Sequence, residues 1–310
     1  MSTLYRLIFA VGTLVAAVPA LSLPAGQGQG KAIVTVLAKG NREADLHIRP
    51  QDLEVKINGA ISTVTGWTHM QSPEGPLEFV LLIDSGARSS LGTQIGEIQE
   101  FIKQLPPGSK AAIAYMQNGH AALSGPLSAD PVQIMKGFHL PGGAFGQNGS
   151  PYFCLSDLAQ HWPSNDSSAR REVLMITNGI DPYSPHFDPE DPYLQSAVKD
   201  SVRAGLVVYA IYWANIGRAD NSLDSSSGGQ NLLQLITEAT GGVNYWVGVG
   251  NPVSFQSYFK DLLERFDHQY LLNFNSPVRG QARVENMKFS IAAAAQVTAP
   301  RQVFVTPTGQ

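Results

Sequence analysis

The chain has 310 residues, 43% of them hydrophobic and 15% charged, enough to bury the core of one large domain, or of a medium and a small one, without covalent staples. A net charge of −4 with no Lys/Arg cluster excludes the basic face that phosphate backbones require, so no nucleic-acid partner is expected. The single cysteine, Cys154, excludes an intramolecular disulfide and sits in an apolar stretch as a small hydrophobe would.

In chain order, Arg6 precedes an apolar run from Leu7 to Val18, and Pro19 breaks that run before small residues at Ala20, Ser22 and Ala25. This pattern predicts a signal peptide over 1–25, and hence an exported product: periplasmic, held in the cell envelope, or secreted. An uncleaved anchor is the competing role, for which the run is short. No later apolar run is long enough to cross a bilayer, so no membrane span is expected in the mature chain.

After a Gly/Gln-rich linker, residues 31–70 read as a β segment, with strands at 32–37, 53–57 and 62–67 and a hairpin signal at Asn58-Gly59. The pattern changes at Leu77. Phe79 to Ile83 is a continuous apolar run ending in Asp84, as in a strand buried on both sides. Leu91, Ile95, Ile98, Ile102 and Leu105 then mark one helix face, stopped by Pro106-Pro107-Gly108. Strand and helix patterns alternate to residue 267, which predicts βαβ crossovers. The expected fold class is therefore α/β: a doubly wound, mostly parallel sheet with helices on both faces over 77–267. A small β unit is expected beside it, built from 31–70 and a C-terminal segment at 268–306.

In such a sheet, ligands bind beyond the carboxyl ends of the strands. Three segments should meet there: Asp84 to Ser90, Gly142 to Ser150, and Thr177 to Asp181. Together with the Ala239-Thr-Gly-Gly242 turn, they resemble the von Willebrand factor A domain. The flanks, with Gly149-Ser-Pro-Tyr152, Asn251 to Phe255 and Gln269 to Leu272, are similar to von Willebrand factor A-related proteins common in Acidobacteria. The resemblance implies adhesion or complex assembly rather than one reaction. It also implies a metal-ion-dependent adhesion site, in which an Asp-x-Ser-x-Ser stretch, a Thr and a further Asp hold magnesium. Here that pattern is degenerate. Asp84 matches, Gly86 and Arg88 stand at the two serine positions, Ser150 stands for the Thr, and Asn178 replaces the Asp.

The residues expected on the binding face are Asp84, Ser85, Gly86, Arg88, Ser150, Asn178 and Asp181. Were a metal to bind, Asp84, Ser85, Ser150 and Asp181 would be its ligands. The charge count argues against it, since Arg88 lies beside Asp84 and one carboxylate is lost at Asn178, so no cofactor is expected and magnesium is the alternative. Pairing of Arg88 with Asp84 would replace the ion by a salt bridge. Competing structural roles remain open: Asp84 as a turn cap, Ser150 with Pro151 as a helix N-cap, and Asp181 as a turn former. The Pro-punctuated loop from Asp181 to Pro192, with His186, Asp188, Glu190 and Asp191, is a second acidic candidate that reads as a solvated loop. No nucleophile elbow, phosphate-binding loop, zinc-protease or C-x-x-C motif occurs. The expected function is an exported, non-enzymatic protein-binding module without obligatory metal. A magnesium-dependent adhesion module and a hydrolase with a long-range site are the alternatives; partner identity and oligomeric state are not legible.

Overall fold

The computed structural model describes residues 28–38, 48–71, 75–87, 89–141, 149–184, 187–214, 223–248, 250–277, 280–292 and 295–307. The expected signal peptide, Arg88, Gly142 to Asn148 and His186 lie outside them. Three strands come first: β1 (Gly28–Ala38), β2 (Leu53–Ile57) and β3 (Ala60–His69). Strands and helices then mingle: β4 (Leu77–Asp84), α1 (Ile95–Lys103), β5 (Lys110–Gln117), β6 (His120–Leu123), α2 (Pro131–Lys136) and α3 (Pro151–Gln160). The series continues with β7 (Arg170–Thr177), α4 (Pro192–Ala204), β8 (Leu206–Tyr212), α5 (Leu223–Thr240), β9 (Asn244–Tyr245) and α6 (Gln256–Asp267). Four strands end it: β10 (Gln269–Ser276), β11 (Arg283–Ile291), β12 (Ala295–Thr298) and β13 (Gln302–Pro307).

The two flanks build one sheet in the order β10-β3-β2-β11-β13-β1, which a β10–β1 pairing closes into a barrel; β12 adds to the far end of β1. All its pairings are antiparallel. The length of β1 makes closure possible. It pairs with β10 from Gly28↔Ser276 to Thr35↔Gln269, while its other edge takes β13 and then β12. Between β2 and β3, Asn58 (φ 49°) and Gly59 (φ 83°) supply the two left-handed residues of a tight hairpin turn. Alternate side chains, among them Val34, Val55, Ile57, Leu272 and Phe274, fill the barrel. A Cβ on Gly30 would lie 2.5 Å from the Phe274 ring, so glycine there admits a side chain whose burial is worth about 2–3 kcal/mol.

The second sheet runs β6-β5-β4-β7-β8-β9. Its central pairings are parallel, but β6 turns back on β5 through Asn118 (φ 51°) and Gly119 (φ 81°), so the sheet is mixed. Every residue of β4 is buried. Phe79, Leu81 and Ile83 pack with Ile98 and Phe101 of α1 and Phe259 and Phe266 of α6. Val80 and Leu82 share a second core with Leu155 and Leu158 of α3 and Ala197 and Val198 of α4.

This architecture corrects the fold class that the sequence pattern suggests. In place of the expected doubly wound sheet with a small β unit beside it, the molecule combines a closed six-stranded antiparallel barrel, built from both flanks, with a mixed sheet whose strand β6 runs antiparallel. Alternation within each flank strand predicts a half-buried strand but carries no information on closure, which depends on both edges of β1 being paired across the whole chain.

Candidate functional site

The strand ends of the mixed sheet bring most of the expected residues together as a buried floor. Asp84, at the end of β4, is 1% exposed. Its Oδ2 accepts a hydrogen bond from Thr177 Oγ1 at 2.8 Å, and its Oδ1 accepts one from Gly86 N at 2.9 Å. Thr177 ends β7 and also accepts from Gly179 N at 3.2 Å, so this carboxylate ties the ends of two central strands. Ser150 is the N-cap of α3, accepting from Tyr152 N at 3.2 Å with Pro151 in the first turn. Its hydroxyl donates to Asp181 Oδ2 at 2.5 Å, and Asp181 Oδ1 accepts from Tyr183 N at 2.8 Å. Asn178 closes a turn of its own, accepting from Ile180 N at 3.0 Å.

Two further features seal this floor. Tyr152 OH donates to Gly179 O at 2.7 Å. Burial pushes that hydroxyl well above its ordinary range, and the carboxylates of Asp181 and Asp191 push it further, so it stays a donor. Above the turn, α5 approaches so closely that a Cβ on Gly229 would lie 2.1 Å from Asn178 O. Asn178 is therefore covered by helix backbone. Ser85 stands apart, its hydroxyl donating to Met116 O at the end of β5 at 2.7 Å. The proposed contact of Arg88 with Asp84 falls outside the described residues.

Magnesium needs near-octahedral oxygen ligation and keeps several waters. The residues here do not fit it. Gly86 has no side-chain oxygen, Ser85 is committed to a carbonyl, the Asn178 oxygen closes its turn, and Ser150 and Asp181 hold each other. Among the described residues, no group of three or more His, Cys, Asp or Glu side chains is placed to hold a metal ion. In the second acidic candidate, Asp188 accepts from Glu190 N at 2.9 Å, and Asp191 caps α4 by accepting from Tyr193 N and Leu194 N at 2.9 and 3.0 Å. A buried hydroxyl–carboxylate pair such as Ser150–Asp181 is chemically the start of a nucleophile–base arrangement. Here Ser150 is fully buried, with its proton on Asp181 and a lone pair on α3, so the pair locks a cap to a turn.

Around this floor stands a rim of exposed apolar side chains. Tyr183, Phe187 and Tyr193 lie in and just after the segment that leaves β7, while Trp246, Val247 and Val253 follow β9. Tyr183 is 68% exposed, Trp246 51% and Val253 96%. Phe153 braces the first group, with its ring centroid 4.4 Å from that of Tyr193 and 5.7 Å from that of Tyr183. Each group has a neighbour on α5, at Gly228 and at Gln230. Phe187 N lies 3.5 Å from where a Gly228 Cβ would be, and Gln230 Nε2 donates to Gly248 O at 2.6 Å. Val253 O in turn accepts from Gln94 Nε2 at 3.0 Å, just before α1. Sequence reasoning missed these residues. The available signal was aromatic residues, Tyr183 and Phe187, inside a loop whose other residues are Pro, Asp, Ser, Glu and His.

No family model and no curated protein matches the sequence. Solved structures do overlap with it. BatB from Bacteroides thetaiotaomicron is 15% identical with a TM-score of 0.46, over 61% of this chain and 96% of its own. An aerotolerance-related membrane protein from Bacteroides fragilis is also 15% identical with a TM-score of 0.46, over 62% and 98%. A von Willebrand factor type A protein from Catenulispora acidiphila is 13% identical with a TM-score of 0.44, over 91% and 75%. Likeness this shallow leaves function to be argued from the chain's own residues.

Proposed function

We propose that this chain is an exported protein-binding module that engages its partner with the apolar rim beyond the strand ends of the mixed sheet, without an obligatory metal and without chemistry of its own. The observation that carries this reading is the contrast between floor and rim. Asp84, Ser150, Asn178 and Asp181 are buried and satisfied by protein donors and acceptors, whereas Tyr183, Phe187, Trp246 and Val253 present their surface to solvent. Exposed aromatic groups clustered on one face mark interaction sites, and aromatic side chains dominate the energetics of such sites. The basic residue, apolar run and small-residue stretch over 1–25 support export, and the von Willebrand factor A-like motifs support a role in adhesion or assembly. The test is affinity capture from envelope and culture extracts, comparing the unaltered protein with a Tyr183→Ser/Trp246→Ser variant. A partner retained by the first and lost with the second is expected. Equal capture by both, with both folded, would remove the rim from the account.

A further inference from the structure

At the opposite end of the mixed sheet, one buried side chain joins hydrogen bonds from both bodies of the molecule. Gln269 is the first residue of β10 and is fully buried. Its main chain belongs to the barrel, pairing with Thr35 of β1 and accepting from Met70 N at 2.8 Å. Its side chain belongs to the other sheet: Oε1 accepts from Arg170 Nη1 on β7 at 2.7 Å, and Nε2 donates to Tyr209 OH on β8 at 3.2 Å. The same Arg170 Nη1 donates to Phe266 O at 2.6 Å, which places a cation at the C-terminal end of α6 where the helix dipole favours it.

Glu172 sits in the middle of this junction, fully buried, two residues along β7 from Arg170. Both carboxyl oxygens and Arg170 Nε are sealed from solvent without a hydrogen bond of normal geometry, and the Gln269 and Tyr209 side chains beside Glu172 give it only partial compensation. Such a group in a native interior calls for a specific explanation, because a buried, unpaired carboxylate is costly. The groups facing the cluster are known from each element packed on it. Arg170 comes from β7, Tyr209 from β8 and Tyr245 from β9, while Arg265 and Asp267 come from α6. Arg265 is engaged elsewhere, donating to Asp261 Oδ2 at 2.6 Å and to Thr298 Oγ1 of β12 at 3.0 Å. On β4, the residue paired with Glu172 is the apolar Phe79.

We propose that Glu172 makes the barrel–sheet junction a pH-operated latch, closed while its carboxyl is protonated and favouring release of β10 and the end of α6 from β7 and β8 once it ionises. A neutral carboxyl can stay in this dry site, whereas an ionised one draws water in, and the element it displaces is the one that Gln269 pins. Burial pushes the Glu172 carboxyl from 4.5 up to about 7, outweighing the opposing pull of the Arg170 charge and of hydrogen bonding from the nearby Gln269 and Tyr209 side chains. The sign follows from proton binding. Between those two values the folded state holds a proton that the unfolded state has lost, so stability is greatest below the lower value. It falls as pH rises through the upper one.

Hydrogen exchange on the intact protein tests this. After division by the intrinsic exchange rate, the opening constant of the first β10 amides is expected to rise on the order of a hundredfold between about pH 5 and about pH 8.5, and to stay flat in Glu172→Gln. An equal rise in Glu172→Gln, or no rise in the unaltered protein, would overturn the proposal. Should Glu172→Gln not fold, infrared spectroscopy of the unaltered protein decides. A buried protonated carboxyl band persisting above about pH 6 is expected, and a spectrum with every carboxyl ionised there contradicts the latch.

Discussion

The two ends of the mixed sheet bury polar groups in opposite ways. At the carboxyl ends of the strands, Asp84 is met by Thr177 and Gly86, and Ser150 by Asp181, so each carboxylate has donors waiting for it. At the amino ends, Glu172 lies just as deep with neither oxygen in a hydrogen bond of normal geometry. Buried charge therefore plays two roles in this molecule. Satisfied groups hold loops and caps in place. An unsatisfied group stores free energy that a change of protonation can release.

The comparison breaks most readily at Gly229. Gly229→Ala would push a Cβ to 2.1 Å from Asn178 O, backbone against backbone. A loss of about 3 kcal/mol or more is expected in denaturant melts, and a loss below about 1 kcal/mol would mean that α5 does not seal the floor as described. Asp84→Ala comes next. Removing the carboxylate leaves Thr177 Oγ1 and Gly86 N buried without their acceptor, at a cost of about 2–3 kcal/mol that magnesium should not alter. Thr177→Val tests one arm of the same tie and is expected to cost about 1–2 kcal/mol in the same melts. Trp246→Ser and Tyr183→Ser should be smallest in stability, within about 0.5 kcal/mol of the parent, because these side chains are largely exposed. Their effect should appear in partner capture instead.

Much of this was legible in the sequence, for physical reasons that differ by element. β4 shows itself as an unbroken apolar run because all eight of its residues are buried. The helix cap at Ser150 follows from a short polar side chain before proline, and the Asp191 cap, expected only as part of a solvated acidic loop, has the same cause. The Asn58-Gly59 turn and the unremarked Asn118-Gly119 turn carry the same signal, since each supplies two consecutive left-handed residues. Barrel closure was not legible, because β1 meets partners more than 200 residues away and alternation names no partner. β12 and β13 carry no clear strand signal in the sequence, being short and half-buried. At the site, the spacing of a degenerate metal motif says little about exposure. Positions that would ring an ion are covered by α5 and by one another, while the exposed aromatics of the neighbouring loop match no motif.

The central claim is that the exposed rim, and not an ion held on the floor, engages the partner. It is tested most directly by capturing partners from envelope extract with the intact protein, once in excess chelator and once in millimolar magnesium. The account predicts the same partner in the same yield under both conditions, and its loss with Tyr183→Ser/Trp246→Ser. Capture that requires magnesium and disappears with Asp84→Asn, while the rim variant still binds, would contradict it.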